Sequence, residues 1–238
     1  PVMDVRIIAQ RTENPRPTHV MRRGDFLQPQ DEVQPATLEV LHRLKPRDPD
    51  APADRLDLAR WLVDPTNPLT PRVAANHVWM YLFGEGLVRT ANDFGVRGEP
   101  PTHPKLLDWL ADEYVRLGWS RKALIRLVVT SATYRQSSHH RPELAEVDPT
   151  NRRLYRQNRF RVEAEIVRDL TLAASGLLSR KIGGPSVFPP MPPDVAKLSY
   201  ANNFRWKTSP GEDRYRRGMY TFFKRTSPHP NLVAFDCP

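Results

Sequence analysis

The chain has 238 residues, 39% of them hydrophobic and 26% charged, a balance that suits a globular domain with a packed core. Its formal charge of +9 attracts polyanions, yet 29 Arg against 7 Lys together with 25 Pro is also what a GC-rich genome writes into any protein, so charge alone selects no partner. The longest apolar run, HVWMYLF, falls short of the roughly 18 to 20 residues a membrane span needs, and a single cysteine, Cys237, excludes an internal disulfide, a Cys-rich zinc site and covalent haem within the chain.

Alternation of Val5, Ile7 and Ala9 predicts a short strand over 4–10, with HVMRRGDFL as its pairing partner. Arg23-Gly24-Asp25 matches the adhesion tripeptide but reads as a plain turn. Prolines at 29, 35, 46, 49 and 52 remove backbone donors and disfavour helix, so residues 28–53 are an extended connector and a boundary falls near 53. Two segments follow from this: 1–53, a strand or hairpin with its connector, and 54–238, a helical domain.

Asp54 can cap a helix over RLDLARWLV, with Leu58 and Leu62 on its inner stripe and Trp61 beside them. Thr70-Pro71 opens a helix over 71–83 that Gly84 closes, and apolar residues over most of its circumference predict that protein largely surrounds it. The next helix carries His103, Leu107, Leu110, Tyr114 and Leu117 on one stripe, with Asp112 and Arg116 four apart for an ion pair, and stops at Gly118. Ser120 starts a fourth, over RKALIRLVVTSATYRQ, and SSHHRPELAEVDPTN is a polar loop. Helical order returns in RRLYRQNRFRVEAEIVRDLTLAASGLL, with Val162, Ile166, Leu170, Ala173 and Leu177 inward. Five prolines within 185–193 exclude regular structure, and RRGMYTFFKRTS has strand-like composition. The expected architecture is mainly α: an irregular helical bundle with long Pro-rich loops and a small β-element made by the N-terminal and C-terminal stretches.

Candidate functional residues are few. Asn76 and His77 interrupt the most buried helix and need hydrogen-bond partners, from Arg72 or from acids of the following loop. Before the third helix, ANDFGVRGEPPTHP gathers Asp93, Arg97, Glu99 and His103. One reading makes them a loop and a helix entry; the other makes them a site, with a carboxylate orienting His103 as general base. No metal-ligand spacing accompanies them, and the cap reading is preferred. Ser131, Ser137 and Ser138 lie near His139 and His140 without a nucleophile elbow, and GGPS lacks the remainder of a phosphate loop. The basic aromatic runs RRLYRQNRFR and FRWKTSPGEDRYRRGMYTFFKR put Arg156, Arg159, Arg216 and Arg217 forward as polyanion ligands, with Arg72, Arg97 and Arg135 as further binding candidates. Their rival use is internal, pairing with Glu163, Glu165 and Asp169 or lying on aromatic rings.

Residues 55–138, from RLDLARWLVDPTNPLTPRVAANHVWMYLFGEG to SATYRQSS, resemble the signature half of a planctomycete-specific domain of unknown function. NRRLYRQNRFRVEAEIVRD, with Arg153 inserted into the usual pattern, GGPSVFPP and YRRGMYTFFKRTSPHPNLVAFDCP are similar to later phrases of the same family, so the likeness runs from about Thr18 onward. The resemblance implies an accessory domain of an exported, periplasmic or envelope protein, placed after a cytochrome-c-like domain that carries the haem, with no cofactor in this chain and no accepted catalytic residues. His77 stands where the family often shows Arg, and the family usually continues past the FDCP end, so a further helical portion is expected there. The sequence therefore points first to an interaction domain that packs on its own cytochrome part or binds acidic glycan. A hydrolase acting on anionic polysaccharide through Asp93, Glu99, His103 and His77 is the second reading, and nucleic-acid binding the third.

Overall fold

The structure is a computed structural model, and it describes Ile7, Ala9, Arg11 and residues 14–196, 205–225 and 228–235. Apart from Ile7 and Ala9, the strand expected over 4–10 lies outside the described residues. The fold is mainly α with a small β-element, as the sequence predicts, but among the described residues the sheet pairs two N-terminal strands and takes none from the C-terminal stretch. The chain divides into two compact units, 1–159 and 160–238.

In the first unit, β1 (Thr18–Met21) pairs antiparallel with β2 (Pro29–Val33), and Thr18 sits opposite Val33. The Arg-Gly-Asp tripeptide makes the turn between them, with Asp25 Oδ1 accepting from Leu27 N at 3.0 Å. Pro29 is tolerated because the two-stranded sheet leaves edges on which a missing N–H costs nothing.

Helix α1 (Arg55–Leu62) starts where the sequence predicts, at a capping box in which Asp54 accepts from Leu56 N and Asp57 N while Asp57 accepts from Asp54 N. Its buried face includes Trp61, as expected, but is turned away from Leu58 and Leu62 toward Asp57. Leu58 and Leu62 are 44% and 40% exposed, whereas Asp57 and Trp61 are 5% and 9% exposed. The connector decides this: Trp61 stacks on His42 at 4.7 Å and donates Nε1–H to the His42 carbonyl, while Asp57 accepts from Arg47 N and Nε.

Helix α2 (Thr70–Phe83) has Pro71 in its first turn and ends at Gly84, whose φ of +82° is free of strain only without a side chain. Protein covers Ala75, Asn76, Val78, Trp79 and Phe83 and leaves only Tyr81 of this helix exposed, so it is largely surrounded, as predicted. Helix α3 (Pro104–Arg116) buries Leu107, Leu110, Ala111 and Tyr114 against α2, close to the expected stripe. Arg116 pairs with Glu113 three residues back instead of Asp112.

After Gly118, α4 (Arg121–Val129) runs from a Ser120 cap and buries Leu124 and Val128. The predicted single helix breaks at Thr130, whose hydroxyl turns back to the carbonyls of Arg126 and Leu127, and Ser131 caps a separate α5 (Ala132–Arg135). The polar loop contains one further turn, α6 (Pro142–Ala145). Residues 152–163 are not helical: Asn151 and Leu154 have φ of +55°, and Asp148 accepts from Arg152 N and Arg153 N.

In the second unit, α7 (Ala164–Ala174) is therefore shorter than predicted and buries Ala164 and Leu172, while Val162, Leu170 and Leu177 stand exposed. The strand-like C-terminal stretch makes 3-10 turns at Gly211–Tyr215 and Gly218–Tyr220, joined to the 179–187 segment by isolated bridges Ser179–Arg216 and Val187–Thr221. Gly218 touches α7 closely; a Cβ there would lie 2.4 Å from the Glu165 carbonyl oxygen. Short helices α8 (Pro193–Ala196) and α9 (Pro230–Ala234) complete this unit.

Candidate functional site

The charged cluster ahead of α3 is held by local bonds. Asp93 Oδ1 accepts from Gly95 N at 2.8 Å, and Thr90 Oγ1 both donates to the Asp93 carbonyl and accepts from Glu99 N. The Glu99 carboxylate meets Arg152 at 3.1 Å. His103 precedes the first turn of α3, with Nδ1 3.0 Å from Thr102 Oγ1, and the chain is anchored by Thr102 N donating to Leu87 O. Arg97 is exposed on the loop. None of Asp93, Glu99 and His103 lines the His77 cavity, the Tyr155 cleft or the small pocket beside Asn151.

Asn76 and His77 have different fates. Asn76 is fully buried and bonds both main-chain groups of Val88. His77 lines an open cavity of about 670 Å³ formed by α2, α3 and α4, whose wall is otherwise largely aliphatic, with Tyr81, Tyr114 and Arg121 at its polar points. Arg72, the partner expected for them, instead pairs with Asp108 at 2.7 Å and donates to the Pro68 carbonyl.

The arginine candidates separate in the same way. Arg216 is 1% exposed, its guanidinium 3.8 Å from the Tyr220 ring centroid and donating to the carbonyls of Lys181, Gly183 and Pro185. The GGPS segment thus turns carbonyls, not N–H groups, toward a cation. Arg217 pairs with Asp169 at 2.7 Å. Both serve the fold of the second unit.

Arg156 and Arg159 lie at the edge of a cleft in the first unit, and Arg135 is exposed just before it. Gln136, Ser137, His139, Arg141 and Tyr155 line about 390 Å³ there, with no carboxylate among them. The Tyr155 ring has two guanidinium groups beside it, Arg141 at 5.8 Å and Arg156 at 5.6 Å. Arg141 also donates to the Tyr155 carbonyl, Arg156 Nε to the Tyr155 hydroxyl at 3.3 Å, and Arg159 Nε to Ser138 Oγ at 3.3 Å. The floor is fastened by Gln136 to Leu154 O and Gln157 N to Ser137 O. Such an arrangement binds anions: guanidinium groups oriented by an aromatic ring lose less freedom when they meet a sulfate or carboxylate. The basic aromatic run contains Arg156, Arg159 and Tyr155, but nothing in it points to Arg141, which comes 14 positions before Tyr155 in the chain.

Residues 54–238 match the model of the PSD1 family, described as a protein of unknown function (DUF1553). The chain belongs to this family. The matched span begins at the α1 cap and takes in α2 through α9, including both the Tyr155 cleft and the His77 cavity. No curated protein and no solved structure matches the chain. Among the described residues no helix is long and apolar enough to cross a membrane, and no cluster of three or more His, Cys, Asp or Glu side chains is placed to hold a metal ion.

Proposed function

We propose that this chain is a non-catalytic interaction domain that holds acidic glycan in the Tyr155 cleft. It does so within an exported, envelope or periplasmic planctomycete protein whose separate cytochrome-c-like domain carries the haem. The observation that carries this reading is a cleft lined by Arg141 and Tyr155 and by no acid, with a second guanidinium, that of Arg156, beside the same ring at 5.6 Å. An ester sulfate or uronate carboxylate entering there meets two oriented cations and the exposed His139, at little cost in side-chain ordering. The setting beside a haem domain rests on the resemblance of residues 55–138 and of the later phrases. A hydrolytic role asks Asp93, Glu99 and His103 to act together, and their bonds to Gly95, Arg152 and Thr102 argue for scaffolding instead.

The test is retention of the chain on immobilised heparin, polygalacturonate and duplex DNA across a salt gradient, compared with Tyr155→Ala and Arg141→Gln. Later elution of the native chain than of both variants from a glycan column supports the cleft. Equal elution of all three discards it, and preferential retention on DNA transfers the cleft to nucleic acid.

A further inference from the structure

The second unit contains a cavity of about 290 Å³ lined by Arg168 on α7, Arg214 and Tyr215 of the first 3-10 turn, Pro190, His229 and Asn231. Arg168 is half-buried, and an arginine stays protonated through the physiological range, so its charge needs a partner. Its one hydrogen bond among the described residues runs from Nη2 to the Arg214 carbonyl at 2.8 Å, and its Nε is shielded from solvent with no acceptor.

The carboxylate whose charge reaches Arg168 is that of Asp169, and both its oxygens are taken. Oδ2 accepts from Arg217 Nε at 2.7 Å and Oδ1 from Gly218 N at 2.6 Å. Asp213 meets Lys181 through Oδ1 at 3.2 Å. Neither Arg168 nor Arg214 makes an ion pair among the described residues.

His229 closes the site as a neutral wall. Its Nε2–H donates to the Pro190 carbonyl at 3.0 Å and its Nδ1 accepts from Asn231 N at 3.3 Å, so both ring nitrogens are used. Burial holds the imidazole below its ordinary range, and the nearby Arg168 charge acts in the same direction. A half-buried cation and a second arginine on one cavity, with no acid in its lining, are an unbalanced charge that a bound anion would complete.

From this geometry we infer that the Arg168–Arg214 cavity is a site for a tetrahedral oxyanion, phosphate or sulfate, free or as the ester of a sugar. Arg168 and Arg214 supply two positive charges to the cavity, and Tyr215 and the prolines form its remaining walls. This site is independent of the Tyr155 cleft and lies in the other unit.

The full chain is titrated by calorimetry with inorganic phosphate, inorganic sulfate and a monosaccharide 6-sulfate. The His229 ring resonances are followed in parallel by NMR. One saturable site per chain is expected, present in Tyr155→Ala, weakened at least tenfold in Arg168→Gln and in Arg214→Gln, with the His229 resonances moving on the same saturation curve. Arg214→Gln leaves the buried Arg168 bond to the main chain in place, so it reads the site even if Arg168→Gln fails to fold. Tighter binding of the sugar sulfate than of either free ion assigns the ester; the reverse assigns the free ion. Absence of saturable binding for all three probes, equal affinity in Arg214→Gln, or saturation that leaves His229 unmoved would overturn the inference.

Discussion

Asn76 binds Val88 by both edges of its carboxamide: Oδ1 accepts from Val88 N at 2.9 Å and Nδ2 donates to Val88 O at 3.0 Å. The side chain acts as a piece of sheet edge presented by a helix, and it pins the GEGLV segment onto the middle of α2. Gly86 passes so close that a Cβ there would lie 2.8 Å from Nδ2. Replacing Asn76 by Ala strands one buried donor and one buried acceptor, each costing about 1–3 kcal/mol. Asn76→Ala should therefore lose about 2–5 kcal/mol of stability in urea unfolding, whereas Asn76→Ser, which keeps one small polar atom, should lose less.

The turned face of α1 gives different outcomes at Trp61 and Leu58. Trp61→Ala removes the ring stacked on His42 and the bond to its carbonyl, at about 3 kcal/mol for a buried aromatic. Leu58→Gln changes an exposed position and should stay within about 0.5 kcal/mol of the native chain. Thermal unfolding of the two variants distinguishes this arrangement from one with Leu58 inward, which would exchange their effects.

Asp57 governs a pH effect. Its carboxyl is held down to about 2, first by the hydrogen bond from Asp54 N and then by main-chain and side-chain bonds from Arg47, against the opposing cost of burial. The folded value lies below the ordinary aspartate value of about 3.9, so the stabilisation is complete above that pH and fades as pH falls from about 4 toward 2. Asp57→Asn should be less stable than the native chain at pH 6, and the gap between their urea midpoints should shrink through that window. A gap unchanged at pH 2.5 would contradict the assignment.

Gly218→Ala should destabilise the second unit by about 1–3 kcal/mol, because the added methyl meets the α7 backbone rather than a movable side chain. Hydrogen exchange of amides in 164–174 should accelerate, while those of α2 and α3 should not change.

Salt dependence separates the two kinds of arginine. Arg156→Gln, at the Tyr155 cleft, should lower the slope of log affinity against log salt for heparin by about one. Arg217→Gln, whose side chain is occupied with Asp169, should leave that slope unchanged while lowering stability.

Helix starts and stops were legible because they depend on local chemistry: the Asp54 and Ser120 caps, Pro71 and Pro104 in first turns, and Gly84 at a C-terminus need only neighbouring residues. The inner stripe of α3 was legible for the same reason, since Leu107, Leu110 and Tyr114 share one face whatever packs on it. Which face of α1 is buried was not, because Leu58 and Leu62 are better core residues than Asp57 until His42 and Arg47 arrive from the connector. Nor could composition tell Arg216 from Arg156. The same basic aromatic pattern serves a buried clamp in one place and an open cleft in the other, and the difference lies in whether carbonyls from a distant loop surround the guanidinium or solvent does. By itself, then, the sequence determined the ends of α1, α2 and α3, the start of α4, and that the fold is mainly α; it did not show the break at Thr130 or the late start of α7. The tertiary structure decided which polar side chains are consumed internally and which remain for a ligand, since that choice depends on partners tens of residues away that periodicity and spacing do not encode.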